Sequence, residues 1–305
     1  MKKPFHASDR GENTQLKLAS KKQKNNKVVP YLLLIPTMLL LAAFTYYPFG
    51  KAIYLSFFIT DKLGNPGQFV GLENFQRVFE SDLFRNSLRV TIRYATLIGV
   101  GTFTLAMVLA YLCVEKTRKG KIYQTMFSLP MALASTSIAL IADYIFGKFG
   151  LLNGVLGTSN AWISDPKFTL VTLVIIVVWA NCGSSFIYLL VGFRNVPDDL
   201  LESANLDGAS GLTKFFKIYL PIASPQVFFV IFLNILGAFK SFAVIKILVG
   251  NTNNNLDVLI YEVYKQAFIR GRFETACVYA LVLCLLIFVV SRIQFILEKR
   301  LVFYQ

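Results

Sequence analysis

Residue types able to do covalent chemistry are few in this 305-residue chain, and their spacing suits no reaction centre. The one histidine, His6, stands in a polar N-terminal stretch. Cys113, Cys182, Cys277 and Cys284 all fall in apolar runs without metal-ligand spacing, so they read as small packing residues. Cys277 and Cys284 sit seven apart on one expected helix, too far for a disulfide. No G-x-x-x-x-G-K-[ST], H-E-x-x-H or G-x-S-x-G sequence occurs, so neither nucleotide binding nor hydrolysis is expected of this chain. What remains is non-covalent. One pattern is an acid-led series of small residues, Glu202, Ser203, Ala204, Asp207, Gly208 and Ala209, followed by Ile218, Leu220 and Pro221. The other is a set of polar groups inside apolar runs: Asn181, Tyr188, Asn234 and Lys240. The first suits close contact with a second surface. The second suits a wet pathway through a membrane, because polar groups are costly in hydrocarbon unless they face a packed interior or a cavity. Ser184 and Ser185 are expected to serve helix packing instead.

The elements that must carry these residues are long apolar helices. The chain is 55% hydrophobic with a mean hydropathy of +0.56. A hydrocarbon core about 30 Å thick needs roughly 20 apolar residues per helix. Six runs qualify, at about 31–58, 87–113, 122–146, 169–191, 226–249 and 276–297. Backbone groups in lipid must be satisfied locally, which makes these runs helices and tolerates Pro36 and Pro130 within them. The expected fold class is an all-α integral membrane protein with six transmembrane helices. The net charge of +14 follows membrane sidedness rather than nucleic-acid binding. Most Lys and Arg fall in the tail, in the loops after the second and fourth runs, and at the C-terminus, which predicts N-in, C-in topology. Lys51, Arg89, Arg93, Lys240 and Lys246 lie within or at the ends of runs. The expected organisation is a basic cytoplasmic tail, 1–29, and a membrane domain, 30–305, with a cytoplasmic loop at 194–225.

Outside the runs, Gly64-Asn65-Pro66-Gly67 predicts a turn. Phe75, Val78, Phe79, Leu83 and Phe84 recur at helical spacing and predict one short helix on the outer surface. In the 194–225 loop, Pro197 suits a first helical turn and Asp198 and Asp199 complement the positive end of the dipole. Gly211 is expected to break this helix, and Pro221 to end a second one over 212–220.

The ordered series Glu202, Ala204, Asp207-Gly208-Ala209, Ile218, Leu220-Pro221, placed between the fourth and fifth of six runs, resembles the EAA loop of binding-protein-dependent ABC importer permeases. The likeness is to the carbohydrate uptake family, of maltose type or glycerol-3-phosphate type, and to the first permease of the pair. PYLLLIPTMLLL, FVGLENF, YQTMFSLP, WISDP, GAFKSF and YEVYKQAF are similar to the same family. FFKIYLP and the terminal Tyr304-Gln305 resemble its glycerol-3-phosphate subgroup. Ser203 replaces the usual second Ala, Ala243 stands where many members have Asp, and Val249-Gly250-Asn251-Thr252 replaces an outer Thr-Gly-Gly-Pro turn. These departures bear on the substrate rather than on the family.

The resemblance implies a type I importer permease in a bacterial cytoplasmic membrane, multi-pass in the lipid bilayer. It would form a heterodimer with a second permease subunit, above two ABC ATPase subunits that bind the ATP, and would receive a sugar, oligosaccharide or sn-glycerol-3-phosphate from an extracytoplasmic solute-binding protein. The chain itself is then neither an enzyme nor a holder of metal or cofactor. A stand-alone secondary transporter of a small polar solute is the rival; such folds usually carry more spans and inverted repeats, and no internal repeat is evident here. A membrane enzyme or scaffold would need a catalytic cluster at one membrane face, and none is present.

Overall fold

The computed structural model describes residues 29–115, 118–250 and 256–302. The tail with His6, the Asn251-Thr252 part of the outer turn and the terminal Tyr304-Gln305 lie outside the described residues. The chain divides into two compact units, Met1–Tyr54 and Leu55–Gln305. In the first, the helix from Val29 continues through Pro36, with a π-helical turn at Ala42–Tyr46. The span Val29–Leu55 is 27 residues long, enough for about 40 Å at 1.5 Å per residue.

The second unit holds the other five spans: Asp82–Leu112, Ser135–Leu156, Pro166–Arg194, Ser224–Val249 and Phe273–Arg300. The second, fourth and fifth pack against one another, and glycine sets how closely. A Cβ on Gly101 would meet Val178 Cγ2 at 2.9 Å, and one on Gly192 would meet Gln226 Cβ at 2.9 Å. Two cores result. One, around Tyr94, Leu173, Ile245 and Tyr279, joins the second, fourth, fifth and sixth spans. The other, around Ala106, Phe186, Phe193 and Tyr219, lies at the opposite end.

Three sequence expectations need correction. The segment expected as one helix at 122–146 is broken. Arg118–Ser128 is helical, Leu129–Ala132 tightens into a 3-10 turn at Pro130, and a new helix begins at Ser135. Pro130 lacks an N–H and Leu133 is extended (ψ 137°), so the i→i−4 ladder cannot continue. The expected fifth span is likewise two helices, Ser224–Phe239 and Phe242–Val249, interrupted at Lys240 and Ser241. The single outer helix over Phe75–Phe84 is also two. Glu73–Glu80 ends at Ser81, whose ψ of 125° is extended, and Leu83 and Phe84 start the second span.

The turn at 64–67 closes a small β-hairpin, Phe58–Thr60 against Pro66–Phe69, which periodicity did not reveal. Asp61 organises it by accepting from the backbone N–H of Leu63 (2.9 Å) and Asn65 (2.8 Å). The Asn65 side-chain amide, with these backbone donors, holds the Asp61 carboxyl below its usual range. Buried Asn74 donates to the carbonyls of Ser56 (3.0 Å) and Phe58 (2.8 Å), tying the surface helix to the hairpin.

Candidate functional site

Two places bring the sequence-predicted residues together. The first is the segment after the fourth span. Asp198–Leu206 is helical, with Asp198 and Asp199 in its first turn. Gly208 adopts a positive φ of 70° and closes a two-bond Schellman cap. Its N–H donates to the Asn205 carbonyl (3.1 Å), and the Ala209 N–H donates to the Ala204 carbonyl (2.9 Å). The glycine therefore has a conformational reason that spacing alone did not show. Gly211 starts the next helix rather than ending the first, because Ser210 Oγ caps it by accepting from the Thr213 N–H (3.3 Å). Pro221 does not end that helix either. A π-helical turn at Phe215–Tyr219 shifts the ladder to i→i−5, and the chain stays helical through Ile222.

This segment is fastened to the spans. Tyr111 donates through its hydroxyl to the Gly211 carbonyl (2.7 Å), and its ring meets Phe215 (4.9 Å between centroids) and Tyr219 (5.6 Å) edge-on. Phe193 meets the same two rings at 6.0 and 5.8 Å. Arg194 donates to the carbonyls of Cys113 and Val114, both at 3.2 Å. The aromatic cluster thus joins the ends of the second and fourth spans to the segment. Ile218 and Leu220 pack on the same core, and Ala204 is buried. Glu202, Ser203, Asp207, Gly208 and Pro221 are exposed, and Ala209 is half-buried. Leu206 at the tip is 90% exposed, with Leu212 at 71% and Phe216 at 61%. Sequence reasoning had the 212–220 helix present Phe216, but it missed Leu206 and Leu212, although their one signal, large apolar residues among polar neighbours, is present.

The second place is a cavity of about 350 Å³ between the two helix breaks. Pro130 and Met131 line it from the 3-10 turn before the third span, Ser135 from the start of that span, Asn181 and Ser184 from the fourth, and Lys240, Ser241 and Phe242 from the fifth. Lys240 is exposed and makes no ion pair among the described residues. The helix from Ser135 starts without a side-chain cap, so its first amides have no partner within their own helix. Asn181 and Lys240 therefore converge. Asn234 does not join them: it is buried and accepts from Ser185 Oγ (2.9 Å), bridging the fourth and fifth spans. Tyr188 packs edge-on against Phe229 (5.2 Å) and does not line the cavity either. Ser184, expected to bond between helices, donates to the Asn181 carbonyl of its own helix (3.1 Å). A larger cavity, about 440 Å³ between the second, fifth and sixth spans, has mostly aliphatic walls and no charged group to hold a polar solute.

Beyond the cavity, the segment before the sixth span holds an ion cluster that the sequence did not reveal. Glu262 is fully buried; its Oε2 accepts from Arg270 (3.0 Å), and Lys265 pairs with both Glu262 and Asp257. Burial alone would lower the Lys265 pKa, but hydrogen bonds and charge from Asp257 and Glu262 raise it above its usual value. Lys246 stands over the Tyr264 ring, 4.3 Å from its centroid, a cation–π contact.

Residues 103–303 match the family described as the binding-protein-dependent transport system inner membrane component. This chain belongs to that family. The sn-glycerol-3-phosphate transport system permease protein UgpA of Agrobacterium fabrum is 29% identical over 282 residues, covering 90% of this chain and 96% of that protein. The UgpA of Yersinia enterocolitica is 31% identical over 286 residues, with 91% and 96% covered. A bacterial ABC transporter that imports the acidic polysaccharide alginate has the same fold, with a TM-score of 0.79 over 92% of this chain at 20% identity. A bacterial alginate ABC transporter in complex with an alginate pentasaccharide-bound periplasmic protein gives a TM-score of 0.81 over 92% of this chain, also at 20% identity. The chain is thus a six-span permease subunit of the ABC importer type, and the rival of a stand-alone secondary transporter falls away. The broken third and fifth spans, a feature associated with secondary transporters, occur in this importer permease as well.

Proposed function

We propose that this permease imports an anionic, hydroxyl-bearing solute of the glycerol-phosphate or acidic-saccharide class, and that Lys240 meets its negative charge. The unpaired Lys240 in the cavity between two helix breaks is the observation that carries this reading. The uncapped helix start at Ser135 adds positive potential, and Asn181, Ser184 and Ser241 supply groups that bond hydroxyls. The relatives named for sn-glycerol-3-phosphate and for alginate both handle anions, which supports the same class.

In this reading the chain pairs with a second permease subunit as a heterodimer and takes its cargo from an extracytoplasmic solute-binding protein. ATP binds to and is hydrolysed by two separate ATPase subunits. The N- and C-termini and the 194–225 loop face the cytoplasm of a bacterial cell, with the Asp198–Leu206 helix seated in a cleft of one ATPase. Glu202 pairs there with a basic group, and Leu206 enters an apolar pocket. Closure of the ATPases on ATP moves this helix, and the aromatic cluster passes the motion to the second and fourth spans as a rigid-body change between two states.

Uptake of labelled sn-glycerol-3-phosphate beside a panel of neutral oligosaccharides, in cells with and without the gene, tests the proposal. Selective loss of the anion's uptake is expected. Selective loss of a neutral sugar would overturn the cargo assignment and leave Lys240 a structural residue.

A further inference from the structure

Two arginines near the start of the second span differ from the other basic residues around them. Arg77 pairs with Glu73 at 2.8 Å. Arg85 lies 3.8 Å from Asp82 and donates to the Phe79 and Glu80 carbonyls. Arg270 is bound to Glu262. Arg89 and Arg93 are exposed and have neither an ion pair nor a hydrogen bond among the described residues. They are four apart on one helix, so their side chains share a face, with Asn86 a turn before Arg89.

Their depth follows from the helix. From residue 94 to its end at Leu112 the span carries no charge, about 28 Å at 1.5 Å per residue, which fits a hydrocarbon core of about 30 Å. Arg93 thus marks the edge of the hydrocarbon, and Arg89 stands one turn further into the headgroup layer. The opposite end of the helix is fixed to the 211–222 segment through Tyr111, so the arginines lie at the membrane face remote from that segment. Beside them is a cavity of about 230 Å³ lined by Asn86, Val90 and Arg93, with Thr169 and Leu170 of the fourth span opposite. It shares no residue with the cavity around Lys240, whose walls come from the third, fourth and fifth spans.

We propose that Arg89 and Arg93 form a binding site for the phosphate of an anionic phospholipid in that leaflet. Two guanidinium groups without a counter-anion, at headgroup depth, offer the paired donors that a phosphate accepts. The proposal rests on the chain's membrane placement and not on the identity of its cargo. A soluble anion is the less fitting occupant, because the site is separate from the solute cavity and stands where lipid headgroups lie.

The test uses the assembled transporter, purified in detergent and delipidated, then titrated with phosphatidylglycerol or phosphatidylcholine and read by native mass spectrometry. Phosphatidylglycerol should be retained in preference to phosphatidylcholine. The double variant Arg89→Gln, Arg93→Gln should lose that retention by at least about tenfold, the loss expected on removing charge-assisted bonds. The charge-preserving double variant Arg89→Lys, Arg93→Lys should keep part of it, and Arg85→Gln should keep it in full. Unchanged subunit assembly and basal ATPase activity in the double Gln variant would show that it folds. Equal retention by the double Gln variant would overturn the proposal. So would displacement of the lipid by millimolar sn-glycerol-3-phosphate, which would reassign the arginines to a soluble anion.

Discussion

Gly208 combines a backbone requirement with an open surface. At φ 70° an L-residue is strained by about 1–2 kcal/mol, yet a Cβ there would meet nothing within 4 Å. Asp is among the side chains that tolerate this conformation best. Gly208→Asp should therefore leave the subunit folded and in the membrane, detectable by immunoblot of membrane fractions, while abolishing uptake, as the proposed seating of this helix against an ATPase requires. Lys240→Gln should lower anion uptake at least tenfold at low solute and leave the expression level unchanged, as measured by initial rates. Glu262→Gln leaves Arg270 without its carboxylate. Because Arg270 and Lys265 are partly exposed, the loss should fall below the roughly 3–5 kcal/mol of a fully buried pair. The Lys265 pKa is raised above its ordinary 10.5, so its stabilisation is fully present below that pH and disappears only as pH climbs through the higher folded value. Lys265→Met should accordingly lower the melting temperature of the purified complex equally at pH 7 and pH 9. Residue types made Asn181 and Lys240 legible as pathway candidates, since polar groups in apolar runs stand out. They did not separate these from Asn234 and Tyr188, because which way a side chain faces depends on where the neighbouring helices break.

The elements that transmit motion in the proposed mechanism are short. The 211–222 helix reaches the second and fourth spans through Tyr111, Phe193, Phe215 and Tyr219. Edge-to-face aromatic pairs contribute about 0.5–1.5 kcal/mol each beyond their buried area. Phe215→Leu removes two such contacts to the spans while keeping most of the apolar volume. Expected is a transporter that assembles and hydrolyses ATP but moves several-fold fewer solute molecules per ATP, measured in proteoliposomes; unchanged stoichiometry would remove the cluster from the transmission path. At this scale the sequence was a good guide to the six spans and to the presence of two helices after the fourth. It was a poor guide to their ends. Gly211 and Pro221 are strong breakers in isolation, but the Ser210 cap and the π-turn at Phe215–Tyr219 outweigh them. Pro130 and Lys240 looked compatible with unbroken spans because bilayer helices tolerate such residues when neighbours satisfy the freed groups.

At the scale of the whole molecule, the proposed orientation, with the 194–225 loop cytoplasmic, rests on the loops that collect Lys and Arg, and labelling tests it. A cysteine introduced at Leu206, 90% exposed in the isolated subunit, should react with a membrane-impermeant maleimide in inside-out vesicles from cells lacking the ATPase subunits, and not in intact spheroplasts of the same cells. The reverse result would invert the topology. The native cysteines set a low background, since Cys113 and Cys182 are buried and all four lie in or at the ends of spans. The two interruptions that flank the Lys240 cavity carry a further consequence for how this protein tolerates change. A ladder that stops and restarts beside residues that line the opening leaves peptide amides and carbonyls without partners in their own helices, and these belong to the main chain, which substitution does not remove. Alanine scanning of the opening will therefore understate its polarity. Side chains around it can drift, and with them the preference among related solutes, while the polypeptide backbone keeps a water-like lining in place.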